Sequence, residues 1–293
     1  MTDSSTTFNS PTPLVSICLP TFNGAATVSE TIRSILAQSF QQWELVISDD
    51  ESTDNTLIKI GEFDDPRIRI IGGRKRSTPA DNWNHCINHA QGKYIKVMGQ
   101  DDLLLPDCIK SEVELMDHPL YSELSFCFSK RNIISSTGQM VIRNRGFDHK
   151  TEVVDILSLL PKIVRSGTNI FGEPVAVMIR ATALRKAGGF MGSYVIDLDM
   201  WIRLLEIGPA RSTHETLVAF RVGATSWSNA LKSSQAYETA ELCKRLTKKF
   251  PGKISGFDLL VGYFTARINQ WARSAIVPVL IFANRYLPAR AGQ

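Results

Sequence analysis

The sequence predicts an α/β domain: a mostly parallel sheet covered by helices on both faces, with a helical extension at its C-terminal side. Three observations predict it. Short apolar runs alternate four times with segments of helical periodicity between residues 14 and 98, the rhythm of parallel strands joined by helical crossovers. Polar clusters, two of them acidic, follow three of the four runs directly. After a last strand-like run at 217–222, the sequence passes into long helical patterns.

Taken in order, residues 14–19 (LVSICL) form a buried strand that Pro20 closes. A helix follows over about 27–39, with Val28, Ile32, Ile35 and Leu36 on one face. Residues 43–48 (WELVIS) give the second strand, ending at Asp49, Asp50, Glu51 and Ser52, and 53–60 the next helix. Residues 67–71 (RIRII) give the third strand, broken by Gly72 and Gly73; a helix over 82–90 follows, stopped by Gly92. The fourth strand is 94–98 (YIKVM), ending at Gly99, Gln100, Asp101 and Asp102. Ligands of open α/β sheets sit beyond the carboxyl ends of the strands. The clusters at 21–23, 49–52 and 100–102 are therefore expected to meet on one rim.

The second half is less regular. Strands are expected at 125–134, 175–179 and 217–222, and helices at 153–160, 181–187 and 199–207, the last with Trp201, Leu204 and Leu205 inward. A polar helix over 236–250 stops at Pro251 and Gly252, and 258–287 is an apolar-rich tail with Pro278 inside it. Residues 1–13, polar and rich in Ser and Thr, read as a disordered leader. The main domain then spans 14–230 and the helical extension 231–293.

With 293 residues, 43% of them apolar and 21% charged, the chain can bury a core unaided. The net charge of +4, with no basic block interleaved with aromatics, sets nucleic acid aside. An anionic nucleotide, an anionic glycan or an acidic membrane surface fits it equally well. The five cysteines form no Cys-x-x-Cys pair, which argues against a zinc site or a disulfide framework and fits the cytoplasm. No run reaches the ~18 apolar residues of a spanning helix.

Asp101 and Asp102 place two carboxylates side by side at a strand end, which is costly unless a cation or water screens them. A Mg²⁺ or Mn²⁺ shared with a diphosphate would do so, because these metals take oxygen ligands and keep substrate phosphates and water. The structural alternative is a solvated turn with Asp102 near a helix start. The acids at 49–54 fit a helix N-terminus, with Ser52 or Thr53 as cap. They also fit a carboxylate that accepts hydrogen bonds from a base or a ribose.

Residues 15–23 (VSICLPTFN), 45–55 (LVISDDESTDN), 100–103 (QDDL) and 197–204 (DLDMWIRL) stand in the order seen in family 2 glycosyltransferases. The sequence resembles that family from about residue 14 to residue 221. The resemblance implies a GT-A fold, in which the sheet is mostly parallel and Rossmann-like, a nucleotide-diphosphate-sugar donor and inversion at the anomeric carbon. By it, Pro20, Thr21, Phe22 and Asn23 would lie against the nucleoside, and Asp50 would contact the base. Asp101 would reach the ribose or the metal, and Asp102 would ligate the metal to the diphosphate. Arg74, with Lys75, would meet the donor or remain a solvated charge. Asp197 corresponds to the general base that deprotonates the acceptor hydroxyl, and Asp199 is the second candidate for that role.

Two positions depart from the family pattern: Ile196 stands where Glu is usual, and Gly223 where His is frequent. The loop 167–174 falls where the acceptor pocket is shaped, so that Asn169 and Glu173 would bind acceptor hydroxyls or serve only the turn. The expected function is a cytoplasmic, metal-dependent glycosyltransferase. Its acceptor would be a glycan or lipid-linked sugar of a surface polysaccharide or glycolipid, and the C-terminal extension would lie against protein or the inner face of the membrane. The departures at Ile196 and Gly223 motivate an alternative, a catalytically silent subunit that binds nucleotide sugars. A sugar-nucleotide-forming nucleotidyltransferase would need a Gly-rich phosphate loop after the first strand, where only Gly24 is found.

Overall fold

The computed structural model describes residues 12–72, 76–147, 153–192, 195–223 and 235–286. Arg74, Lys75 and nearly all of the expected leader lie outside the described residues.

Four strands, β1 (Val15–Thr21), β2 (Trp43–Asp49), β3 (Ile68–Ile71) and β4 (Tyr94–Val97), pair in parallel in the order β3-β2-β1-β4. Every residue of β1 is buried, as a strand covered on both faces requires. The strand runs through Pro20 rather than stopping before it. Because β4 pairs with β1 only over Val15 to Cys18, Pro20 has a single strand neighbour, β2, and its missing N–H breaks no ladder on the open side.

The helices between them are α1 (Val28–Leu36), α2 (Thr56–Ile60) and α3 (Pro79–Asn88). Helix α3 begins one turn earlier than its apolar pattern suggests. Thr78 caps it, Pro79 occupies the first turn and Asp81 completes a capping box.

Beyond β4 the sheet becomes mixed. It continues through β5 (Leu103–Leu104), β6 (Phe126–Ser135), β7 (Met140–Arg145), β8 (Val153–Val154), β9 (Val177–Arg180) and β10 (Ala210–Val222). Strand β9 lies antiparallel between β4 and β6, β10 runs parallel to β6, and β5 pairs antiparallel with β10. Strand β7 has no buried residue to announce it in the sequence.

Four more helices complete the main domain and two form the extension: α4 (Cys108–Asp117), α5 (Ile156–Ser166), α6 (Ala181–Ala187), α7 (Ile196–Leu205), then α8 (Gln235–Lys249) and α9 (Gly256–Tyr286). Two hydrophobic clusters form, one on each face of the sheet; α1 and α4 feed one, and α5, α6 and α7 the other. Within β1 the split follows the pleat, with Val15, Ile17 and Leu19 in one cluster and Cys18 in the other.

The extension is joined tightly to α5. Thr265 Oγ1 donates to the Arg165 carbonyl at 2.6 Å and Asn269 Nδ2 to that of Ser166 at 3.1 Å, satisfying groups that a helix C-terminus leaves open. Arg165 also pairs with Asp258. Glycine permits the approach: a Cβ at Gly262 would stand 2.3 Å from the Val164 carbonyl oxygen. Among the described residues no helix is long and apolar enough to cross a membrane.

Candidate active site

Three polar segments meet at the carboxyl end of the parallel strands. Phe22 N–H donates to Gln100 Oε1 at 2.9 Å, and Gln100 Nε2 returns a bond to the Phe22 carbonyl at 2.8 Å. Thr21 Oγ1 donates to Asp49 at 2.8 Å, and Asn23 N–H to Ser52 Oγ at 2.8 Å. Asn23 Oδ1 in turn accepts from Thr53 N–H at 2.8 Å. A Cβ at Gly24 would stand 2.2 Å from Gln100 Oε1, so a larger residue there would push the Gln100 amide off its two bonds to Phe22. The turn at Asp49 and Asp50 and the turn at Asp101 and Asp102 are thus tied to the same stretch of chain, on one rim.

Within that stretch the side chains divide. Pro20 and Thr21 are buried, whereas Phe22 is half-buried and Asn23 exposed. The Arg76 guanidinium lies 4.2 Å from the Phe22 ring centroid, a cation–π contact that sequence reading missed because it concentrated on Arg74. Asp50 is buried and accepts from Ser77 N–H at 3.0 Å and Ser77 Oγ at 3.1 Å. These bonds hold the segment that precedes α3 against the rim.

Asp102 is 3% exposed, accepts from Arg221 N–H at 3.0 Å, and is approached by Gly99 N–H at 3.3 Å. Arg221 reaches across the fold. Its Nε donates to the Asp101 carbonyl at 2.8 Å and its Nη2 to Glu30 at 2.6 Å. Thr31 Oγ1 donates to the Gln100 and Asp102 carbonyls at 2.9 and 3.0 Å. A backbone so held fixes where the two carboxylates sit.

They converge beside Gly99, where a Cβ would stand 2.8 Å from Asp101 Oδ1 and 3.0 Å from Asp102 Oδ2. Burial raises the pKa of both carboxyls, and the Asp101 charge adds to the rise at Asp102. A divalent cation would offset that cost. Among the described residues no group of three or more His, Cys, Asp or Glu could hold a metal. Two hard oxygen donors from protein, with the remainder from phosphate and water, is the way Mg²⁺ and Mn²⁺ are usually bound at nucleotide sites. The residues fit such an ion.

Asp101 and Asp102 open onto a cavity of about 210 Å³ that Arg131, Asn169, Glu173 and Asp197 also line. Asp197 lies in the first turn of α7, which starts at Ile196 and not, as the sequence suggests, near Asp199. Its Oδ2 accepts from Asn169 Nδ2 at 2.8 Å and its Oδ1 from Leu198 N–H at 2.7 Å. Asn169 is itself fixed, accepting from Phe171 N–H at 3.0 Å and donating to the Gly172 carbonyl at 2.6 Å. Asp199 points elsewhere, because two residues along a helix is a rotation of about 200°. It is buried between Arg203 (2.8 Å) and Arg245 of α8 (2.7 Å) and does not line the cavity.

Ile196 is 5% exposed and lines the cavity next to Asp197. Glu173 pairs with the buried Arg131 of β6, a cavity residue that sequence reading missed although a charge inside an apolar strand pattern marks it.

The model of the family described as "Glycosyl transferase family 2" matches residues 16–173. The chain is 30% identical over 161 residues to the UDP-Glc:alpha-D-GlcNAc-diphosphoundecaprenol beta-1,3-glucosyltransferase WfgD of Escherichia coli, a match over 50% of this chain and 62% of that protein. Among solved structures it resembles S. aureus TarS 1–349 in complex with UDP-GlcNAc, with TM-score 0.64 and 16% identity over 89% of this chain and 74% of that one. It also resembles the mannosyltransferase PcManGT from Pyrobaculum calidifontis in complex with GDP-Man and Mn²⁺, with TM-score 0.59 and 16% identity over 94% and 80% of the two chains.

Proposed function

The chain belongs to glycosyl transferase family 2, with a GT-A fold, and on that footing we propose that it moves a sugar, with inversion, from a nucleoside-diphosphate donor to a glycan or lipid-linked acceptor. The observation that carries the reading is the cavity that Asp101, Asp102 and Asp197 all line, beside the rim where the chain at 21–23 meets Gln100 and Ser52.

Each residue then has a task. Phe22 and Asn23, at the exposed edge of that rim, lie against the nucleoside with Arg76 nearby, and Asp50 holds the wall on which the base rests. Asp101 and Asp102 hold the donor diphosphate through a divalent ion, Mn²⁺ or Mg²⁺, which when bound would stabilise the leaving-group charge. Asp197, oriented by Asn169, accepts the proton of the acceptor hydroxyl as its oxygen attacks the anomeric carbon. The Mn²⁺ and nucleotide sugar bound to PcManGT, and the lipid diphosphate acceptor in the name of WfgD, are consistent with this donor, ion and acceptor. The setting that follows is the cytoplasm at the inner face of the membrane, where the exposed Phe257, Leu260, Phe264, Ile268 and Trp271 of α9 would meet lipid.

Asp102→Ala should remove Mn²⁺-dependent hydrolysis of a panel of nucleotide sugars, by about 10²-fold or more, while the circular dichroism spectrum is unchanged. Hydrolysis that persists at the wild-type rate would exclude the ion's role. Nucleotide binding without turnover of any donor by the wild type would favour the silent-subunit reading.

A further inference from the structure

Helix α8 lies alongside α7 and is tied to it at three points. Val195 N–H donates to Glu238 Oε2 at 3.3 Å, Arg245 Nη2 reaches Asp199 at 2.7 Å, and Lys249 Nζ reaches Glu206 at 2.6 Å. The ties follow the same order along both helices, so the two run in the same direction. Leu242 and Leu246 of α8 join the cluster that holds Leu198, Trp201 and Leu205 of α7. The first of the three ties falls beside the reaction cavity. Glu238 is followed by Thr239, which is buried and lines that cavity together with Val195 and Asp197.

That tie fills a gap in α7 itself. The helix begins at Ile196, so Val195 is its N-cap, and a valine side chain has no oxygen to accept from the open N–H groups of the first turn. In a capping box the third residue of the helix returns a bond to the N-cap N–H. Here the third residue is Leu198, which cannot. Glu238 makes that bond instead, from a different helix, and its carboxylate stands at the end of α7 where the helix dipole favours negative charge. Asp197 is the second residue of the turn so fixed. Asn169 holds its carboxylate, and Glu238 holds the backbone that bears it.

We propose that Glu238 is a positioning residue for transfer: by accepting from Val195 N–H it sets the first turn of α7, and with it the Asp197 carboxylate, at the reaction cavity. The assignment rests on the transferase reading and makes the C-terminal extension part of the catalytic apparatus. A base displaced by a fraction of an ångström loses its line to the proton it must take, so an anchor outside the cavity acts on the rate and not on donor affinity.

Two measurements on the full chain test it: Mn²⁺-dependent hydrolysis of the nucleotide sugar that the wild type cleaves fastest, and amide exchange of residues 195–199 followed by mass spectrometry. Glu238→Ala should lower kcat about tenfold with the KM for donor unchanged. It should also speed exchange in that segment about tenfold, while α6 exchanges as before. Glu238→Gln, whose side-chain carbonyl still accepts an N–H, should resemble the wild type in both. Wild-type kcat in Glu238→Ala overturns the assignment, as does a loss carried by KM, or one equally large in Glu238→Gln. The two readings fail apart. If the wild type hydrolyses no donor while exchange responds as described, the transferase reading falls and the anchoring of α7 stands. If it hydrolyses donor and Glu238→Ala moves neither measurement, the anchoring alone falls.

Discussion

Asp197 and Asp199 are two residues apart, yet their surroundings give them different work. Asp197 faces the cavity, its carboxylate accepting from the Asn169 side-chain amide and the Leu198 N–H. Asp199 is held by two arginines and ties α7 to α8. Replacing Asp197 by Asn should lower transfer by about 10²–10⁴-fold and leave donor affinity intact. An equal collapse of donor affinity would remove it as the base. Asn169→Ala should lower kcat for transfer about tenfold, the worth of one hydrogen bond to a charged group, without raising the KM for donor. A change in KM alone would mean that Asn169 serves binding and not the orientation of Asp197. The sequence marked Asp197 through its place before Trp201; it could not show that Asn169, 28 positions earlier, holds it. That contact depends on the loop before β9 folding back on α7.

At the scale of elements, the parallel half was legible because each strand there is a continuous apolar run, and the polar residues after each run mark its carboxyl end. The mixed half was less so. Exposed β7 carries no alternation, and β10 starts seven residues before the apolar stretch that suggested it, in a segment that includes a register shift near His214. The same applies to the seam between α5 and α9, which depends on small residues rather than large ones. Gly262→Val should lower stability by several kcal/mol, read by denaturant unfolding, because the carbonyl of Val164 occupies the space that any β-carbon needs. A loss under about 0.5 kcal/mol, the range of ordinary surface changes, would show that the seam opens freely.

At the scale of the whole molecule, α9 presents a face that the described residues leave largely open. Phe257, Leu260, Phe264, Ile268 and Trp271 are each more than half exposed and recur every three or four residues, on one side of the helix. Arg267, also exposed, lies on the same helix, and the exposed Lys253 shortly precedes it. An aromatic-rich face with cations close by suits the boundary between lipid headgroups and acyl chains. The protein should float with vesicles containing about one-third anionic lipid, less so in high salt. Phe264→Ser with Trp271→Ser should reduce the bound fraction at least threefold. If the double variant floats as well as wild type, this face serves another purpose. Its spacing was legible in the sequence; which side would be left bare was not, since that depends on how α5 receives the helix.

The grip of Arg221 on the Asp101–Asp102 turn bears on the order of events during synthesis. The four parallel strands are complete by Val97, but the guanidinium that fixes the turn is made 120 residues after the carbonyl it holds. A growing polypeptide would therefore carry all four strand segments long before it carried an ordered pair of acids. The acidic turn would be ordered late, when the final strand seats.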